Sequence, residues 1–168
     1  MPQLRDCARL SEHFSIGEFL HSPTATRLGI DMAPPAYVIE RLRRLAVEVL
    51  EPTRHRFGPM MITSGWRPSA LNKAVGGAKE SAHQALEDDS EEKCASDLQP
   101  LRAAVEEVFD WLRLQSGLPF DLIILERGKA KDSEMDDCIH VQGAKHPRRL
   151  AKRGATHGQS GYQEVEVR

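Results

Sequence analysis

No apolar run in this 168-residue chain approaches the ~20 residues a membrane-spanning helix requires, so no membrane insertion is expected. The opening residues, MPQLRDCARLSEHF, lack the apolar core of a secretory signal, so synthesis in the cytoplasm without a signal peptide is expected. The three cysteines, Cys7, Cys94 and Cys138, are odd in number and too few for a disulfide framework. That argues for synthesis in a reducing compartment. With a formal net charge of -2, the chain has no global basic excess to draw it to nucleic acid, and no nucleic-acid partner is expected. Internal repeats are absent as well.

What is present fits one folded domain, since 40% of residues are hydrophobic and 29% are charged. Ser15 and Glu18 have capping-box spacing and start a short helix through Phe19 and Leu20. The stretch from Pro23 to Pro35 reads as a loop. Pro35 then opens a helix to about His55, with Val38, Leu42, Leu45, Val49 and Leu50 at helical spacing. Arg41, Arg43 and Arg44 fall on other faces and read as solvated. Met60 to Ser64 reads as a strand, Ser69 to Val75 as a short helix, and Pro100 to Gln115 as a second amphipathic helix. Asp121 to Glu126 is the clearest strand, its apolar run implying burial on both faces, and Cys138 to Val141 is the last. Beyond Gly143 the chain is polar and basic. The domain is expected to span 1–143, with a basic, flexible tail at 144–168. Helices mixed with a few short strands argue for an α+β fold.

The chemistry gathers in two segments. Ser81-Ala82-His83-Gln84 leads through an acidic run to Cys94-Ala95-Ser96-Asp97, and Asp137-Cys138-Ile139-His140 follows later. Two imidazoles and one carboxylate leave a tetrahedral zinc with an open fourth position, as a hydrolytic site requires. A spare acid, Asp137, is suited to take a proton from water. Asp137 and His140 are three apart and would face opposite sides of a regular strand, so Asp137 must lie at the turn entering it. Cys138 shares a face with His140 and is either a small neighbour of the metal or a ligand; the neighbour is favoured. The acidic run, residues 85–93, is either a solvated loop or a Ca2+-binding loop. Glu126 is either a second acid or a structural residue. His13, His21 and His55 read as surface or satisfied residues, and His146 as either a contact near the cleft or part of the basic tail; the tail is favoured.

Leu10 to Phe19, Ile62-Thr63-Ser64-Gly65-Trp66-Arg67 with Leu71-Asn72, Ser81-Ala82-His83, Ala95-Ser96-Asp97 and Ile139-His140-Val141 occur in an order that resembles a known family. It is that of the zinc D-alanyl-D-alanine carboxypeptidases and phage L-alanyl-D-glutamate endopeptidases. The resemblance implies a small antiparallel sheet packed with helices, like the hedgehog signalling domain. It makes His83, Asp97 and His140 the zinc ligands, one zinc per chain, Asp137 the catalytic acid, and Arg67 the grip on a substrate carboxylate or polarised carbonyl. A planar guanidinium suits that last role. Relatives carry an S-x-H-x-x-G-x-A-x-D pattern, whereas here Asp97 stands fourteen residues after His83, a net insertion of seven. Such length costs only ~0.6 kcal/mol per doubling of the loop.

The resemblance thus implies a zinc peptidase acting on peptidoglycan peptides at the cell wall or periplasm, with a phage or prophage lytic enzyme favoured. The alternative is a catalytically impaired module of the same fold that binds the wall or serves as a phage structural component. A monomer is expected.

Overall fold

The computed structural model describes residues 8–128, 137–154 and 161–168. Cys7 and the polar run 132–136 lie outside them.

Six strands form one sheet: β1 (Met60–Ser64), β2 (Cys94–Pro100), β3 (Leu122–Glu126), β4 (Cys138–Gly143), β5 (Leu150–Gly154) and β6 (Tyr162–Val165). Their order is β1-β2-β4-β3-β5-β6, antiparallel except where β3 pairs with β5. The helices are α1 (Ile16–Leu20), α2 (Pro23–Leu28), α3 (Ala36–Leu45), α4 (Glu51–Phe57), α5 (Ser69–Ala74) and α6 (Val105–Leu114). This is the α+β fold expected, with helices packed on a mostly antiparallel sheet.

The core forms where α3 and α6 lay their apolar stripes on one face of the sheet. Val38, Leu42 and Leu45 from α3 and Val108, Phe109 and Leu112 from α6 share one core with Leu98, Ile123, Leu125, Ile139 and Val141 of the sheet. Alternation along β3 fixes which face is which. Ile123 and Leu125 are fully buried, while Leu122, Ile124 and Glu126 are partly open. The expectation that this strand is buried on both faces is therefore corrected: helices cover only one face, and the other carries the polar residues described below.

Local chemistry accounts for the helix boundaries. The Glu18 carboxylate accepts from the Ser15 amide at 2.7 Å and from the Ser15 hydroxyl at 2.9 Å, closing the start of α1. The segment expected as a loop after Pro23 holds α2, because Pro23 occupies the first turn and Ser22 Oγ caps the Ala25 amide at 3.2 Å. The long helix is not continuous α-helix: a π turn at Ala46–Leu50 separates α3 from α4. Pro52 has no N–H to give the carbonyl one turn back, and the widened turn lies immediately before it. The second helix is shorter than expected, because β2 runs to Pro100 and leaves Leu101 exposed.

The largest departure is at the C-terminus. Residues 150–154 and 162–165 are strands of the sheet, not a flexible tail. Arginines of this segment have partners. Arg148 grips buried Asp121 with Nε and Nη2, both at 2.8 Å, and its amide adds a third bond. Gln142 Nε2 donates to the same carboxylate at 2.5 Å. Arg153 pairs with Asp110 at 3.0 Å and lies over the Phe109 ring, and Ala151 is buried. A segment that reads as solvated charge therefore docks β5 beside β3.

Burial opposes the charge on Asp121, but the bonds from Arg148 win and hold its carboxyl below the usual range. Stability from a depressed carboxylate is present above its unfolded value, about 3.9, and is lost as pH falls through the folded one. Asp121→Asn should therefore cost about 1–3 kcal/mol at neutral pH. It should also flatten the loss of stability below about pH 4. Urea unfolding at pH 7 and pH 3 measures both, and equal losses at the two pH values would contradict the pairing.

Candidate metal centre

The site is assembled from three directions. β2 and β4 pair with Asp97 opposite His140, so the two side chains stand side by side on the face away from α3 and α6. His83 arrives on a short turn, Ala82–Gln84, that packs against β2. That turn is strapped down by the loop after β1. The Arg67 amide donates to His83 O at 2.9 Å, and the Trp66 indole donates to Gln84 O at 3.1 Å. The Trp66 amide in turn donates to Phe19 O at 2.9 Å, which ties the loop to α1.

Three ligand-type atoms converge. His83 Nε2 lies 3.1 Å from Asp97 Oδ1 and 3.2 Å from His140 Nδ1, and His140 Nδ1 lies 3.0 Å from Asp97 Oδ1. Zinc bonds of about 2.0–2.1 Å in a tetrahedron set ligand–ligand edges of about 3.3 Å, so this triangle is the size of one tetrahedral face. All three residues are buried. The tautomer also fits: His83 Nδ1–H donates to Gly65 O at 2.7 Å, which leaves Nε2 with its lone pair toward the centre. The donor set therefore suits a zinc ion.

Burial disfavours charge on Asp97, yet its contacts with the His83 and His140 imidazoles hold its carboxyl far below the usual range. Its second oxygen, Oδ2, accepts from Arg67 Nη2 at 3.0 Å, and Arg67 Nε donates to Ser64 Oγ at 2.9 Å. Two of five guanidinium donors are thus used, and Arg67 lines a cavity of about 250 Å³ with Thr63, Trp66, Leu71 and His21.

The remaining sequence candidates fall around this centre. Asp137 stands one residue before β4, where its carboxylate accepts from Arg127 Nη1 at 2.8 Å and the Gly128 amide at 2.7 Å. Arg127 also pairs with Glu106 on α6. Cys138 lies outside the His83–Asp97–His140 group, its thiol pushed up by burial and by the charges of Asp97, Glu126 and Asp137. Among the described residues the other potential metal group is Glu12, His13 and His55, all exposed, where His13 Nδ1 is already 2.9 Å from Glu51.

The loop between His83 and Asp97 is held by α3 and by the segment after β4. Ala85 and Glu92 turn with φ of 48° and 49°. Arg41 Nη1 then donates to Leu86 O at 2.8 Å, and Arg44 pairs with Glu92 at 3.0 Å. Lys145 reaches Glu92 at 3.4 Å, and Asp89 accepts from the Glu91 and Lys93 amides. These carboxylates serve the protein itself, and among the described residues they form no metal group, so the calcium reading has no support. Arg41 and Arg44, expected as solvated, anchor this loop.

Ser64, Gly65 and Asn72 are the contributors that spacing did not single out. Asn72 Nδ2 donates to Ala78 O at 2.8 Å and holds the approach to His83, and a Cβ on Gly77 would strike Asn72 Oδ1 at 2.1 Å. A Cβ on Gly65 would lie 2.4 Å from Phe19 O and 2.5 Å from Phe19 Cα, both backbone atoms, so only glycine lets this loop pass. Gly65→Ala should displace the carbonyl that orients His83. Zinc affinity should fall about 10- to 100-fold in a chelator competition. Unchanged affinity would contradict this orienting role.

A family model described as Peptidase M15 matches residues 12–126, more than half of the chain. The matched span includes Arg67, His83 and Asp97, while Asp137 and His140 follow it. No curated protein and no solved structure matches. Peptidases of this family are zinc-dependent. By that match, and with a buried His-Asp-His group in place, the chain belongs to the peptidase M15 family.

Proposed function

We propose that this protein is a zinc peptidase that hydrolyses amide bonds in the stem peptides of peptidoglycan, of the phage or prophage lytic type. The observation that carries the reading is the convergence of His83 Nε2, Asp97 Oδ1 and His140 Nδ1 within 3.2 Å of one another. These three would hold the zinc. When bound there, the ion would polarise the scissile carbonyl and bring the pKa of a water toward about 7.

The protein's own side chains then supply position and proton transfer. Arg67, anchored by Ser64 and Asp97, offers its remaining donors to a substrate carboxylate or to oxygen charge developing at the carbonyl. The cavity it lines takes the substrate residue beside it. Asp137 takes a proton from water and passes it to the leaving amine, while Arg127 and the Gly128 amide fix its carboxylate. The same two bonds also favour the second reading, a wall-binding module without catalysis, because they commit this carboxylate to structural partners.

Digestion of purified peptidoglycan decides between them. The zinc-loaded enzyme should release either free D-alanine, as a carboxypeptidase, or fragments with new amino-terminal D-glutamate, as an endopeptidase. Asp137→Ala and Arg67→Ala should each lower the rate about 10²-fold or more, with zinc content retained in Asp137→Ala. Zinc binding with no release of either product would favour the module.

A further inference from the structure

The face that carries the metal trio continues beyond β4. Strand register places Ile124 opposite His140 and Glu126 opposite Cys138, so Glu126 stands on the metal face two positions along from His140. The next pairs carry that face outward, with Lys152 beside Ile124 and Tyr162 opposite Gly154. Tyr162 Oη donates to Glu126 Oε1 at 3.4 Å, which joins β6 to the end of β3. Cys138 stands opposite Glu126 in the register and Tyr162 bonds Glu126, so these three groups share one patch beside the trio.

Among the described residues this patch reaches solvent at Tyr162 and Glu126. α3 and α6 cover the opposite face. Tyr162 is 54% exposed, and Glu126 is partly exposed. Among the described residues no lysine or arginine forms an ion pair with Glu126, and Lys152 stands across from Glu164. Arg67 lies on the β1 side of the trio and Glu126 on the β3 side. A peptide laid across the centre therefore meets a cation on one side and a carboxylate on the other. One strand spacing and two residues of rise put the Glu126 backbone about 8 Å from that of His140 diagonally across the sheet, the length of two to three extended peptide residues.

We propose that Glu126, with its carboxylate oriented by the Tyr162 hydroxyl, is a specificity subsite that binds a protonated side-chain amine of the substrate within two or three residues of the scissile bond. This deepens the peptidase reading and rests on it. A carboxylate that accepts from one neutral hydroxyl keeps acceptor positions for an ammonium, and charge-assisted bonds of that kind are the strong ones. Tyr162 adds a ring face beside which the amine's aliphatic stem packs.

The test uses two substrates, N-acetyl-L-alanyl-γ-D-glutamyl-L-lysyl-D-alanyl-D-alanine with the lysine amine free or acetylated. The wild type should cleave the free-amine peptide at least tenfold more efficiently by kcat/KM. Glu126→Gln should lower kcat/KM for that peptide to the level of the acetylated one, chiefly through KM, and leave the acetylated peptide unaffected. Tyr162→Phe should give a smaller loss with the same selectivity. An equal loss on both peptides, or no loss on either, would overturn the subsite. If the zinc-loaded wild type cleaves neither peptide, the peptidase reading falls separately, and calorimetric binding of the same two peptides decides the subsite. Preference for the free amine that vanishes in Glu126→Gln supports it, and equal affinities overturn it.

Discussion

The structure turns on the Asp97 carboxylate. One oxygen faces two imidazoles and the other faces a guanidinium, so a single buried side chain ties together β2, β4, the His83 turn and the loop after β1. Such a group is costly to bury and is tolerated only with excellent partners. Each partner is itself fixed from behind: His83 by Gly65 O, Arg67 by Ser64, and His140 by the strand register opposite Asp97. The result is a preorganised cluster of electron-pair donors on the open face of a sheet whose other face is closed by α3 and α6. That division of labour, one face for packing and one for chemistry, makes a thin two-layer domain sufficient to carry a metal site.

The loop between His83 and Asp97 shows how the fold holds a long connection beside its most demanding residues. A long loop costs little closure entropy, but it must not pull on either end. Arg41 and Arg44 on α3 take hold of Leu86 O and Glu92, and Lys145 takes Glu91 O and the Glu92 side chain. The loop is thereby fastened to α3 and to the segment after β4. Asp97 keeps its place in β2.

Much of this was legible in the sequence, and what was not has physical reasons. Amphipathic spacing marks α3 and α6, and short apolar runs mark β1, β3 and β4, because those signals are local; the alternation of burial along β3 is visible only in the structure. The trio His83, Asp97 and His140 could be named from residue type and order, although only the fold shows that they converge. Hidden from sequence were pairings between distant positions. Arg148 reads as solvated charge until Asp121 is found buried beside it, and Arg41 reads likewise until Leu86 O is seen above it. β5 and β6 were missed for that reason. α2 was missed because two prolines and a glycine outweighed its cap, and the π turn because proline spacing alone does not reveal a widened helix. Gly65 carries a requirement set entirely by the backbone of Phe19.

The account stands or falls on what surrounds the metal. X-ray absorption at the zinc edge of the zinc-loaded protein tests it most directly. The predicted shell holds two imidazole nitrogens and oxygen ligands at about 2.0–2.2 Å, and His140→Ala reduces the imidazole signal by half. A sulfur scatterer at about 2.3 Å, which would place Cys138 on the metal, or an imidazole signal unchanged in His140→Ala, would contradict it.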